Sequence, residues 1–310
     1  MKTRMFLRFA LISIFVLSCA QQKAGLKAIS NDEGIEIRQN DAGILFYQVK
    51  PKSLDGKYER TNYIHPLYSL KGNVITEDFP KDHLHHHGLY SAWHQILLNG
   101  TPIADGWVNE NISWKVLDSK VEHIGNAMVI RSEVFWVSPV DGKTEQIAKE
   151  DVVITVQRSN DQLRIIDYDM HLIPLKDGLG IGGSEDEKGY GGFSLRLKLP
   201  DDITFVARGG EVQAQVVAVE AGPWMNFVGS FDGEAAGRSG IVVFSHPSNP
   251  GHPQPWILRK EKSMQNPAYP GRSPVTLRKD GLALRYRMIV HNGLLDKEKI
   301  EKLYRDYSKR

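Results

Sequence analysis

The stretch Asp82-His83-Leu84-His85-His86-His87-Gly88, followed by Trp93-His94-Gln95, holds five of the chain's 11 histidines. Imidazole changes charge near neutral pH and is the commonest metal ligand. A cluster of this kind therefore points to acid–base chemistry or to metal binding. On an extended backbone His83, His85 and His87 would share one face and His86 would point the other way. Two further segments carry similar chemistry. His246-Pro247-Ser248-Asn249-Pro250-Gly251-His252-Pro253 leads to Trp256, and His291-Asn292-Gly293 follows the apolar run Leu284 to Val290. Tyr63-Ile64-His65-Pro66 and Glu77-Asp78 add another histidine and two carboxylates. Each histidine segment sits in or beside a Gly- or Pro-marked loop at the end of an expected strand. His83, His86, His246 and His291 are therefore expected to meet in one concave pocket.

The elements that position these residues read as strands. Ile35, Ile37 and Ile44, Phe46 flank Asn40-Asp41-Ala42-Gly43, a hairpin signal. Ala127 to Val137 and Glu145 to Arg158 alternate around Pro139-Val140-Asp141-Gly142, and Leu163 to Leu172 follows Ser159-Asn160-Asp161. Phe193 to Leu199, Glu211 to Val219, Trp224 to Ser230, Ile241 to His246 and Leu282 to Val290 continue the pattern. Helical periodicity occurs only at 296–309, with Asp296 as its cap. About a dozen strands predict an all-β fold, a large antiparallel β-sandwich with a C-terminal helix, as one domain over 30–310.

The N-terminus, MKTRMFLRFALISIFVLSC, has a basic start and an apolar run too short to span a bilayer. Val16-Leu17-Ser18-Cys19 resembles the lipobox of bacterial lipoproteins. Residues 1–18 are thus expected to be a signal peptide, Cys19 the lipidation site and 19–29 a tether, which places the protein in the cell envelope. With Cys19 the sole cysteine, an intrachain disulfide and a cysteine-based zinc or iron–sulfur site are excluded. Any metal would rest on His, Asp and Glu, and a divalent ion on the histidines is an open expectation. A net charge of +2, from 39 Lys+Arg against 37 Asp+Glu, argues against a nucleic-acid partner.

Taken together, the motifs resemble the PmoA-like family of bacterial domains. The resemblance rests on Thr76-Glu77-Asp78-Phe79-Pro80, Asp82-His83, His86 and Gly88, and on Tyr190-Gly191-Gly192-Phe193-Ser194-Leu195-Arg196. It continues through His246-Pro247 with Asn249, Trp256, Asn266-Pro267 and Leu284-Arg285-Tyr286-Arg287 to His291-Asn292-Gly293. The family often has arginine at position 87 and proline at 84. Its name suggests a methane monooxygenase subunit, but that subunit needs several spanning helices and no run after residue 19 is long enough. The resemblance instead implies carbohydrate metabolism and a fold similar to the galactose mutarotase-like supersandwich. The leading expectation is a sugar- or glycan-directed epimerase, lyase or hydrolase. In it His83, His86, His246 and His291 act as acid and base, while His65, His87, Trp93, His94, Trp107 and Trp256 hold the substrate. The alternatives are a non-catalytic glycan-binding lipoprotein and a cupin-like metalloenzyme using the His-Xaa-His pairs.

Overall fold

Short runs of β-branched and aromatic residues broken by left-handed turn residues give a chain of strands in the computed structural model, which describes residues 25–310. Two hairpins show the local logic. Gln39 pairs with Ala42 across Asn40-Asp41, and Val140 pairs with Lys143 across Asp141-Gly142. All four loop residues have positive φ, as two-residue loops matched to strand twist require.

The strands form two main antiparallel sheets. A six-stranded sheet contains Leu26–Ser30, Gly34–Gln39, Ala42–Gln48, Tyr63–Leu67, Leu89–Trp93 and Gly191–Leu195, in that spatial order. A nine-stranded sheet is built on the long hairpins Ser113–Ile124, Ala127–Val140, Lys143–Gln157 and Leu163–Pro174. It continues through Leu282–Asn292, Ser239–Ser245 and Trp224–Gly229 to a short edge. Inward residues of both sheets share one core. Phe193 of the smaller sheet lies 4.7 Å from Tyr286 and 4.9 Å from Tyr168 of the larger, ring to ring. This is the expected all-β sandwich.

The outer face of the nine-stranded sheet is covered by the C-terminal helix Lys297–Tyr307. The helix is capped by the Asp296 side chain, which accepts from the Lys299 amide at 2.7 Å. Ile300, Tyr304 and Tyr307 pack on Trp224, Val242, Phe244 and Ile289. Two expectations need correction. Leu26–Ser30 pairs with Gly34–Gln39, so the end of the expected tether belongs to the sheet. The expected strand Glu211 to Val219 reduces to Gly210–Val212, because the Arg259 guanidinium takes up the carbonyls of Gln215 and Val216. The signal peptide and Cys19 lie outside the described residues.

Candidate functional site

The outer face of the six-stranded sheet carries the histidine cluster. Alternation along Leu89–Trp93 sends Leu89 and Trp93 into the core between the sheets and Tyr90 and Ala92 outward. In Gly191–Leu195 the same alternation buries Phe193 and Leu195 and sends the following Arg196 outward. The loop from Glu77 to Gly88 folds back over this face. Its backbone turns twice, His83 N–H bonding the Pro80 carbonyl and His86 N–H the His83 carbonyl, and Phe79 N–H closes it onto His86. The loop is thus not extended, and the expected alternation of imidazoles fails. His83 and His86, three residues apart on successive turns, stack at 4.6 Å with planes 1° apart, while His87 turns into the interior. Gly88 lets the chain enter the sheet, since a Cβ there would sit 1.9 Å from the Ile64 carbonyl.

Arg196 organises the loop. Its buried guanidinium donates to Glu77 Oε2 at 2.8 Å, to both oxygens of Asp82 at 2.9 and 2.8 Å, and to His86 Nδ1 at 3.1 Å. A guanidinium cannot accept a hydrogen bond, so His86 Nδ1 is the acceptor and its neutral ring carries the proton on Nε2. Burial, then the neighbouring His85 and Arg196, hold His86 down at about 2. It is a permanent hydrogen-bond donor through Nε2, with no partner for that atom among the described residues. His83 is arranged in the opposite sense. Its Nδ1–H donates to Asp82 Oδ2 at 2.7 Å, which leaves Nε2 as the free ring nitrogen on a side chain 41% exposed. Burial works to raise Asp82, but the bonds from His83 and Arg196 outweigh it and keep the carboxyl at about 2.

Two further Asp–His pairs flank this one. His94 Nδ1 pairs with Asp105 Oδ2 at 2.9 Å, and Asp105 Oδ1 also accepts the amides of Trp107 and Val108. The His94 ring stacks on Trp107 at 5.2 Å, and the same indole meets His86 edge-on at 6.0 Å. His94 and Asp105 also line an open cavity of about 390 Å³ with Gln95, Glu110, Ser184 and Glu185. His87 Nδ1 pairs with Asp78 Oδ1 at 2.8 Å inside the protein, where Asp78 also takes Lys52 and the Tyr63 hydroxyl. Burial lowers His87 against the pull of Asp78, and its Nε2 is buried with no partner. His85 lies between these groups, edge-on to His86 at 4.6 Å, and burial with His83 and His94 nearby lowers it to about 4.

The structure brings together His83, His86, His94 and Trp107 and separates the rest. His65 sits at the margin, bonded to Thr76 Oγ1. His87 is sealed beneath the cluster with no exposed surface. Trp93 and Trp256 are fully buried, their indole N–H groups bonded to the Tyr269 and Gly222 carbonyls. Trp107 is 4% exposed with one face under His94, so none of the three tryptophans presents an open face to a sugar.

His246 and His291 do not join the site. Both belong to the opposite layer, on or beside the outer face of the nine-stranded sheet. His291 pairs in register with Gly240 and bonds Asn226 Oδ1 at 2.9 Å. His246 meets Arg285 at 3.5 Å and Tyr307 ring to ring at 5.1 Å. Six residues of one strand separate Arg285 from His291, about 20 Å. The two histidines flank opposite ends of the helix interface and are structural, so the four-histidine pocket is not formed. Arg196, Asp105 and His85 carry the site instead. His85 stands in the histidine run and Arg196 in the segment that carries the family resemblance, but residue patterning gives neither Arg196 nor Asp105 a role, because a lone arginine at a strand end or an aspartate in a turn has no periodic signature.

Neither His-Xaa-His pair converges on a metal. His87 is spent on Asp78, and among the described residues no group of three or more His, Cys, Asp or Glu is placed to hold an ion. The fold and site thus define an all-β sandwich protein with an arginine-clamped imidazole patch on its smaller sheet. The chain belongs to a family of unknown function, DUF6807, whose family model matches residues 34–305. No curated protein matches it.

Proposed function

We propose that this PmoA-like chain is an envelope lipoprotein, anchored through Cys19, that acts on a sugar or glycan fragment by histidine acid–base chemistry. The observation that carries the proposal is the complementary pair His83 and His86, stacked at 4.6 Å and fixed by one arginine. His83, oriented by Asp82, offers the free Nε2 of a general base. His86, kept neutral by burial and then by His85 and Arg196, offers an Nε2–H to an oxygen on which negative charge develops. That combination suits proton abstraction beside a sugar carbonyl. His83 Nε2 takes the C–H proton, and the electron pair moves onto the carbonyl oxygen held by His86. Protonation of the opposite face by water, with His83 releasing its proton to solvent, gives epimerisation, and loss of a leaving group from the neighbouring carbon gives elimination. Hydrolysis by two carboxylates is less well served, since Glu77 and Asp82 are both tied to Arg196.

The test is a product screen of the purified protein on keto-sugars and oligosaccharides, repeated with His83→Ala and His86→Ala. Each substitution should lower turnover by about 10²-fold or more while the fold is retained, the range for losing a positioned acid–base group. Sugar binding without turnover in the parent protein would instead establish a glycan-binding role.

A further inference from the structure

We infer that the cavity beside His94 selects a non-acidic sugar, one rich in hydroxyl or ammonium donors, and turns away uronic and other anionic sugars. The inference rests on the carbohydrate reading above and names the substrate class for it. Two independent observations carry it.

The first is the lining of the cavity. Asp105, Glu110 and Glu185 contribute three carboxylates and Gln95 a side-chain amide, and no lysine or arginine lines the space. His94 answers only one of these acids, and it does so through Nδ1, which leaves its Nε2 free to contact a hydroxyl. At about 390 Å³ the space has the size of a small-ligand pocket.

The second is the state of the cations near the site. An acidic sugar is normally held by an arginine fork or a lysine, and here such groups are either engaged elsewhere or line no part of the cavity. Arg196 is engaged by Glu77, Asp82 and His86. Arg60 is buried under the site, stacked on Trp114 and donating to the Ser91 and Gly106 carbonyls. Arg259 lies over the Tyr190 ring with its guanidinium on the Gln215, Val216 and Leu258 carbonyls. Lys52 is paired with Asp78. Lys188, near the cavity mouth in sequence, pairs with Asp186. Lys81 is exposed on the histidine loop and lines no part of the cavity. A carboxylate entering beside His94 would therefore meet like charge, and Arg272, whose carbonyl accepts from Gln95 at 2.8 Å and whose guanidinium has no partner among the described residues, does not line the cavity. A hydroxyl or ammonium would meet acceptors.

The experiment is calorimetric titration of the purified full-length protein with neutral, amino and uronic oligosaccharides of matched length and linkage: cello-, chitosan and cellouronic trimers, then matched sets of other linkages. The neutral or amino member should bind at least about tenfold more tightly than its uronic counterpart, with the gap closing as salt rises. The double substitution Glu110→Gln with Glu185→Gln, at two exposed positions that leave the core intact, should narrow the gap. Uronic sugars bound as well as or better than their neutral counterparts, or a gap indifferent to the double substitution, overturns this inference and leaves the carbohydrate reading standing. No sugar of any charge class bound overturns both.

Discussion

Replacing His86 by asparagine should remove one specific source of acid sensitivity. In the unfolded chain an imidazole takes up its proton near pH 6.5. In the fold, burial and then His85 and Arg196 hold His86 down at about 2, on a side chain almost without solvent contact. A depressed folded value means that the stabilisation is complete above pH 6.5 and is lost as pH falls. Below 6.5 the unfolded state binds a proton that the folded state refuses. The loss is about 1.4 kcal/mol per pH unit, so about 2–3 kcal/mol by pH 4.5. Asparagine cannot titrate, and its Oδ1 can still accept from Arg196. It gives up the stack on His83, a pH-independent cost of about 1 kcal/mol. Urea unfolding of both proteins at pH 7.5 and pH 4.5 isolates the difference, because the other histidines are common to both. The parent should lose about 2–3 kcal/mol more than the variant over that interval. Equal losses would refute the locked neutral tautomer, as would an imidazole ¹⁵N titration placing the His86 proton on Nδ1 or showing uptake near pH 6.

Other perturbations follow from the same geometry. Trp256→Ala should cost about 3–5 kcal/mol in urea unfolding, yet leave ligand affinity of the folded protein unchanged, since the ring is in the core and not in the site. Asp167→Ala strips Arg287 of its buried carboxylate partner and should cost about 3–5 kcal/mol by the same measure, with no effect on turnover. Gly88→Ala drives a methyl into the Ile64 carbonyl and should cost about 3 kcal/mol or more, read as a lowered urea midpoint. On the proposed anchoring, which rests on the sequence and not on this geometry, Cys19→Ser should move the protein from the membrane fraction to the soluble fraction on cell fractionation.

The fold was legible because its signals are local. Asn40-Asp41 and Asp141-Gly142 specify two-residue hairpin loops by backbone sterics alone, and the alternating strands around them need only one apolar face each. The site was legible in part. The run of histidines marked the candidate loop, and His83 and His86, two of the four expected to meet, do stack. The geometry inside the run was not legible, since two successive turns replace the strand that a period of two assumes. His246 and His291 misled because a histidine at a strand end looks the same whether it faces a ligand or a helix. Here the C-terminal helix covers that face, and its Tyr307 packs on His246. Trp93 and Trp256 misled for a related reason. An indole beside a polar loop can as well donate its N–H to a carbonyl and sink into the core.

The three Asp–His pairs show why burial, more than residue type, assigns roles here. Each makes the same bond, Nδ1 to a carboxylate, at 2.7 to 2.9 Å. Their side-chain exposures differ, 0% for His87, 24% for His94 and 41% for His83. A free Nε2 is useful for chemistry only where a substrate proton can reach it, which leaves His83 and His94 and excludes His87. The buried pair does something else. Asp78 collects His87, Lys52 and Tyr63 on one carboxylate, and so fixes the residue directly after His86 against the sheet. Arg196 fixes His86 itself from the other side. Held at both points, the loop cannot rotate His86 away from His83, and the parallel stack becomes a property of the scaffold that no bound ligand has to induce.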